Sequence, residues 1–164
     1  MAIVGIQTMK EYLEQGVTGS GPNKELSLCP RWIIFYSENA YRKPIYAKFT
    51  IQNNDPFYVA FCLKARVSVF KTSCSFGVLG PNESKVIKLF LIPAEDWPLG
   101  IDEYAQKSLK IAVENIRFSR PVTPATPLDA VAIARQHFKK SIIDFPLERM
   151  YTKLSVVIEK GETE

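Results

Sequence analysis

The side chains able to do chemistry are few and scattered. His137 is the only histidine, and it stands beside Lys139 and Lys140 with no second ligand or nucleophile at motif spacing. It reads as a solvated helix residue. Cys29, Cys62 and Cys74 are odd in number, lack metal-type spacing and have no activating neighbours, so they read as reduced thiols, two of them in the core. Glu95-Asp96 and Asp102-Glu103 flank Trp97 and Pro98. Adjacent carboxylates repel one another unless a cation site is built around them, and a solvated connection is the simpler reading. Neither GxxxxGK[ST] nor GxGxxG occurs, which removes the phosphate-cradling loops. With one histidine no Ser-His-Asp or Cys-His-Asn set can be assembled. No catalytic, cofactor-binding or metal-binding residues are expected, and the chain does not read as an enzyme.

Tyr36, Tyr41 and Tyr46 lie near Arg42, Lys43 and Lys48, a mixture that suits base stacking on single strands. Strand-edge tyrosines need no such explanation. The excess of 21 Lys+Arg over 17 Asp+Glu leaves a charge of only +4. That balance favours acidic partners without forming the dense basic stripe of a nucleic-acid binder, so no nucleic acid is expected.

The elements that position these residues are strands. Ile45, Ala47, Phe49 and Ile51 alternate with Tyr46, Lys48, Thr50 and Gln52 until Asn53-Asn54-Asp55-Pro56 stops the run. Period-two alternation marks a strand with one buried and one wet face. It recurs at Leu154, Val156 and Ile158 against Lys153, Ser155 and Glu159. Further short apolar runs fall at 26–28, 33–35, 57–64, 67–70, 85–92 and 108–115, broken at Gly80-Pro81-Asn82, Pro93, Pro98-Leu99-Gly100 and Pro121-Val122-Thr123-Pro124. Seven or so short strands between turn residues predict a two-sheet sandwich, because each sheet must cover its apolar face with another layer. Phe35, Phe49, Phe61, Phe70 and Phe90 are expected mostly in that core.

One helix interrupts the strands. Thr126-Pro127-Leu128-Asp129 supplies an N-cap hydroxyl, a proline at the first helical position and a carboxylate three residues after the cap. Leu128, Val131, Ala132, Phe138 and Ile142 then form one apolar stripe running to about Ile143, expected to lie across one end of the sandwich. Residues 1–24 contain a possible helical turn at 9–13, then Gly16, Gly19, Gly21 and Pro22, and read as a mobile arm. Residues 25–160 form the domain and 161–164 a tail. The 164 residues, 46 % hydrophobic, suffice for one domain with a sizeable core. No run approaches the roughly 20 apolar residues that span a bilayer, and the start lacks the basic region of a signal peptide. A soluble, cytoplasmic protein without membrane insertion is the expectation.

Taken in order, Leu28-Cys29-Pro30, Ile51-Gln52-Asn53-Asn54, Phe61-Cys62-Leu63-Lys64, Gly77-Val78-Leu79-Gly80-Pro81-Asn82 and Leu91-Ile92-Pro93 resemble the major sperm protein (MSP) domain over about residues 25–160. The resemblance implies an all-β fold: an immunoglobulin-like seven-stranded β-sandwich with one helix inserted before the last strand. It implies no catalysis and no cofactor. In that family the proline after the first strand turns the chain between sheets, and the strand ending in Asn pairs centrally. One branch comprises nematode sperm proteins that dimerise and build the filaments of crawling sperm, or modulate them. The other, the VAMP-associated proteins, carries a membrane anchor and binds acidic peptides with two phenylalanines on a basic face.

Without coiled coil or anchor, this chain resembles the first branch, which implies a cytoplasmic, cytoskeletal filament component or accessory factor whose partners are itself or other MSP-domain proteins. The alternative is a soluble adaptor for acidic linear peptides. Lys110-Ile111-Ala112-Val113-Glu114 resembles the Lys-Phe-Met-Val-Gln strand of the peptide binders, so the resemblance marks Lys110 and Ala112, with Lys64 and Arg66 nearby, as the partner-binding residues. Ala112 replaces the methionine that packs on the ligand, and Val67 or Ser68 replaces a proline. The segment from Glu114 to Leu154 is longer than the family suggests. Its Thr123-Pro124 and Thr126-Pro127 pairs are explained by turn and capping chemistry rather than phosphorylation, and long loops on rigid scaffolds often carry specificity.

Overall fold

The computed structural model describes residues 26–144 and 149–160. The proposed N-terminal arm, with its helical turn at 9–13, and the 161–164 tail lie outside the described residues. Among the described residues nine strands form two sheets. Strands β1 (Ser27–Cys29), β3 (Ile45–Gln52), β7 (Ser84–Leu91) and β5 (Phe70–Thr72) make a four-stranded sheet in the order β1-β3-β7-β5. Strands β2 (Trp32–Phe35), β9 (Met150–Ile158), β8 (Leu109–Arg117), β4 (Val59–Ala65) and β6 (Phe76–Leu79) make a five-stranded sheet in that order. All pairings are antiparallel except β2 with β9.

The expected sandwich is present, and its register follows the alternation. Phe49 and Ile51 are buried while Tyr46, Lys48 and Gln52 are exposed, so the residues that repeat every two positions meet the opposite sheet. Burying a ring such as Phe49 contributes about 2 kcal/mol. Pro30, after a cis Cys29–Pro30 bond, carries the chain from one sheet to the other, and β3, the strand that runs into Asn53, lies between β1 and β7. The count reaches nine because Phe76–Leu79 also pairs with β4. Gly77 there has no apolar signal, yet it opposes Phe61, and a Cβ at 77 would stand 2.5 Å from the Phe61 ring. The glycine makes room for the aromatic.

The strand-breaking Asn53 and Asp55 are buried hydrogen-bonding centres. Asn53 donates to the carbonyls of Phe57 (2.8 Å) and Gly80 (2.9 Å) and accepts the Asp55 amide (2.9 Å), while Asp55 accepts from Arg117 Nε at 2.7 Å. At the opposite end, Ala40 and Tyr41 adopt left-handed φ values of 58° and 60°, unfavourable for residues with a Cβ. Ser37 Oγ accepts the Tyr41 amide at 2.9 Å and holds the turn. The Tyr41 ring is buried beside Trp97, which in turn meets Tyr104 edge-on.

Phe35, Phe49, Phe61 and Phe70 are in the core, and Phe90 is half-buried on the outer side of β7 beside Tyr46. The acidic pairs are exposed, within a 3-10 turn at Ala94–Asp96 and a short helix, α1, at Ile101–Ala105, whose Asp102 meets Lys160 at 2.8 Å. No described helix is long and apolar enough to cross a membrane.

The Tyr41 hydroxyl lies between the carbonyl oxygens of Glu159 (2.5 Å) and Phe35 (3.0 Å). Burial, reinforced by the Glu159 charge, pushes its pKa up to about 12 from 10.0. A raised folded-state pKa gives stability that is complete below pH 10 and is lost as the pH climbs toward 12, because the unfolded phenol ionises first. Denaturation midpoints measured from pH 9 to 12 are expected to fall less steeply for Tyr41→Phe than for the wild type. Parallel curves would mean that this hydroxyl ionises as freely folded as unfolded.

Candidate functional site

Strand pairing arranges the outward side chains of the five-stranded sheet into rows. Ile34 opposes Val157; Trp32, Ser155 and Lys110 form the next row; then Lys153, Ala112 and Lys64; then Tyr151, Glu114, Cys62 and Phe76. The last row holds Ile116, Ala60 and Val78. The face thus runs from an exposed apolar edge through a basic middle to an apolar end.

The apolar end is covered by helix α2 (Pro127–Asp144), which packs on β6 and β4 rather than across one end of the sandwich. The expected cap forms: Asp129 N–H donates to Thr126 Oγ1 at 3.0 Å, and Asp129 Oδ2 accepts the Ala125 amide at 2.9 Å. The stripe, however, is placed differently from expectation. Ala134, Phe138 and Ser141 are the buried positions, against Ala60, Cys62 and Ile116, whereas Leu128 and Ile142 are exposed. The reason is that α2 has a sheet on one side only, so a stripe wider than that contact stays uncovered.

His137 is not a solvated residue. Its ring stacks on Phe118 at 4.1 Å and Nε2 hydrogen-bonds the Arg117 carbonyl at 2.7 Å. It fastens α2 to the end of β8.

The four residues marked for partner binding, Lys64, Arg66, Lys110 and Ala112, all line one trough of about 970 Å³ together with Glu114, Tyr151 and Lys153. The structure brings them together but engages two of the cations. Lys110 Nζ donates to Ser155 Oγ at 2.8 Å and lies over the Trp32 ring at 5.7 Å; Lys64 Nζ stands 3.5 Å from Glu114, which also meets Arg149 at 3.2 Å. Lys153 completes a Lys-Ala-Lys row across three strands, yet sequence reading did not join it to the site. Its outward direction is legible from alternation; its neighbours are set by a pairing between distant segments. Tyr41, buried, is not a stacking platform, and Tyr46 has Lys88 over its ring at 5.1 Å. Among the described residues no group of three or more His, Cys, Asp or Glu side chains could hold a metal ion.

Beyond the trough lies the sheet edge. Among the described residues β2 pairs with β9 on one side only, and Trp32 and Ile34 on the strand and Tyr36 just past it are 62, 60 and 53 % exposed. Large apolar side chains grouped on an edge strand are the usual mark of an interaction surface.

No family model matches the sequence, and no curated protein matches it. Solved structures do. WR4, a Caenorhabditis elegans MSP family member, aligns with a TM-score of 0.54 at 11 % identity, covering 83 % of this chain and 97 % of that one. SSP-19, an MSP-domain protein like family member of C. elegans, aligns at 0.52 and 14 % identity over 80 % of this chain and 99 % of its own. The seventh PapD-like domain of human CEP192 aligns at 0.53 and 11 % identity over 88 % and 91 %. The chain has an MSP-like fold. At these identities the likeness is one of architecture, shared by MSP and PapD-like domains.

Cys62, buried under α2, has its thiol pKa pushed up to about 11 by burial, a shift that Lys64 opposes. Cys29 is exposed and Cys74 half-buried. A chromogenic disulfide reagent at pH 8 is expected to titrate Cys29 first and Cys62 only on unfolding. Phe138→Ala, which loosens the α2 contact, should make Cys62 reactive in the folded protein; an unchanged rate would contradict the placement of α2.

Proposed function

We propose that this chain is a non-enzymatic MSP-domain protein acting through protein–protein contacts, with itself or other MSP-domain chains as partners, as a filament component or accessory factor of nematode sperm motility. The observation that carries the proposal is edge strand β2, which offers backbone groups and the Trp32 and Ile34 side chains, with Tyr36 just past its end, on one margin of the five-stranded sheet. An edge of this kind accepts another strand or another apolar face. Likeness to two C. elegans proteins of the MSP type supports the setting, and a cytoplasmic, cytoskeletal location is part of the proposal. Light scattering of the purified protein over a concentration series is expected to show at least a dimer, returned to monomer by Trp32→Glu or Ile34→Lys. A wild-type monomer at high micromolar concentration would eliminate the filament-subunit version and leave the accessory one.

A second reading, an adaptor for acidic linear peptides, is favoured by the convergence of Lys64, Arg66, Lys110 and Ala112 in one trough. Against it, Lys110 and Lys64 already have partners, and Ala112 offers little apolar contact. Binding of an acidic peptide carrying two phenylalanines is therefore expected at roughly tens of micromolar or weaker, about −6 kcal/mol, falling with salt. Calorimetry should show tighter binding for Ala112→Met and none for Lys110→Glu. Tight wild-type binding untouched by Lys110→Glu would exclude this trough as the peptide site.

A further inference from the structure

The stripe of α2 that the sheet leaves uncovered is not scattered over the surface. Leu128, Val131, Ala132, Phe138 and Ile142 all line a single groove of about 560 Å³ between the helix and the outer sheet face, floored by Cys62 and Phe76. Of the five, only Phe138 is buried, and Leu128 and Ile142 at the two ends are 79 and 65 % exposed. From 128 to 142 a helix rises about 21 Å, close to four turns. A stripe of this length on an amphipathic helix is ordinarily buried; here the described residues supply a floor and one wall, and none of them covers the top.

The rim has one sign of charge. Lys64, Arg135, Lys139 and Arg149 line the groove, and none of the described lining residues is a carboxylate. Glu114, just outside it, meets both Lys64 and Arg149, so the net positive charge comes from Arg135 and Lys139, which no described carboxylate meets. The two guanidinium groups are held at the boundary between floor and solvent, Arg135 over the Phe76 ring at 5.1 Å and Arg149 over the Phe138 ring at 5.3 Å. Arg149 is further fixed by its bond to Ser141 Oγ at 3.1 Å. Cations oriented in this way face whatever lies over the apolar floor.

We propose that the α2 groove binds an amphipathic helix of a partner protein, its large apolar side chains spaced at i, i+3 or i+4 and i+7, its flanks acidic. An open, apolar groove lined along about four turns of α2 matches a helix laid along it, as in other helix-in-groove contacts, and the cationic rim selects carboxylate flanks and rejects basic ones. The site shares Lys64 with the trough but contains neither Lys110 nor Ala112, and none of its lining residues lies on β2. It stands independently of self-association through that edge.

The test uses the full chain and a fluorescein-labelled 18-residue peptide with leucine at those spacings and glutamate elsewhere, followed by fluorescence anisotropy. A second peptide carries lysine at every glutamate position. The glutamate peptide is expected to bind and to weaken with salt, with the lysine peptide at least about tenfold weaker. Ile142→Glu and Arg135→Glu, both at exposed positions, should each weaken the glutamate peptide by about tenfold or more while circular dichroism stays unchanged, and Lys110→Glu should leave it alone. Equal binding of the two peptides, binding of neither, or binding insensitive to Ile142→Glu would overturn the proposal. A wild-type dimer that Ile142→Glu dissociates would also overturn it, because the occupant would then be a second copy of the chain. Failure of the β2 proposal is read separately, from Trp32→Glu.

Discussion

The Tyr41 hydroxyl joins the ends of two strands that have no local reason to meet. It hydrogen-bonds the carbonyls of Phe35, at the end of β2, and Glu159, just past β9, where the one parallel contact among the described strands ends at the Phe35–Ile158 pair. A parallel pair between the second and last strands closes a very long loop, and its entropy must be offset by specific contacts. The left-handed backbone at Ala40 and Tyr41, held by Ser37, aims the ring inward, and Trp97 packs against it. The Tyr41 carbonyl in turn accepts the Ala94 amide at 2.7 Å. This corner adds to the β9 pairing and to the burial of Ile33 and Phe35 in holding β2, whose outward side chains form the exposed margin.

The opposite margin of the same sheet is treated differently. α2 covers Ala60, Cys62 and Ile116, with His137 and Phe118 stacked at its edge. One sheet face therefore carries three environments: an apolar strand edge that no described residue covers, a lysine-rich middle in which Glu114 pairs with Lys64 and Ser155 accepts from Lys110, and a groove beside the helix. Each comes from a different origin. The edge follows from the parallel β2–β9 pairing, the middle from outward residues of β4, β8 and β9, and the groove from the segment inserted between β8 and β9.

What was legible in the sequence was what is local. Alternation over 45–52 gave the strand and its register, because side-chain direction in a strand depends only on parity. Thr126 and Asp129 marked the start of α2 for the same reason: a cap is satisfied within four residues. The resemblance to the MSP domain gave the architecture. The non-local parts were hidden. Phe76–Leu79 is a strand only because β4 lies beside it, and Gly77 is explained only by the ring of Phe61. His137 looked solvated because Phe118 and Arg117 are some twenty residues away in sequence. The apolar stripe of α2 was visible, but whether a sheet, a partner or solvent meets it is a property of the assembled fold, and Lys153 joined Lys64 and Ala112 only through strand pairing.

We propose that the β2 edge carries the contacts with other copies of this chain or with MSP-domain proteins. Amide hydrogen exchange tests it most directly, comparing peptides that cover 31–37 at low and at high protein concentration. Covering an edge protects amides that otherwise face water. The account predicts that exchange in this segment slows as concentration rises, while α2 is unchanged. Exchange in β2 that is independent of concentration, with protection appearing on α2 or on β5 instead, would contradict it.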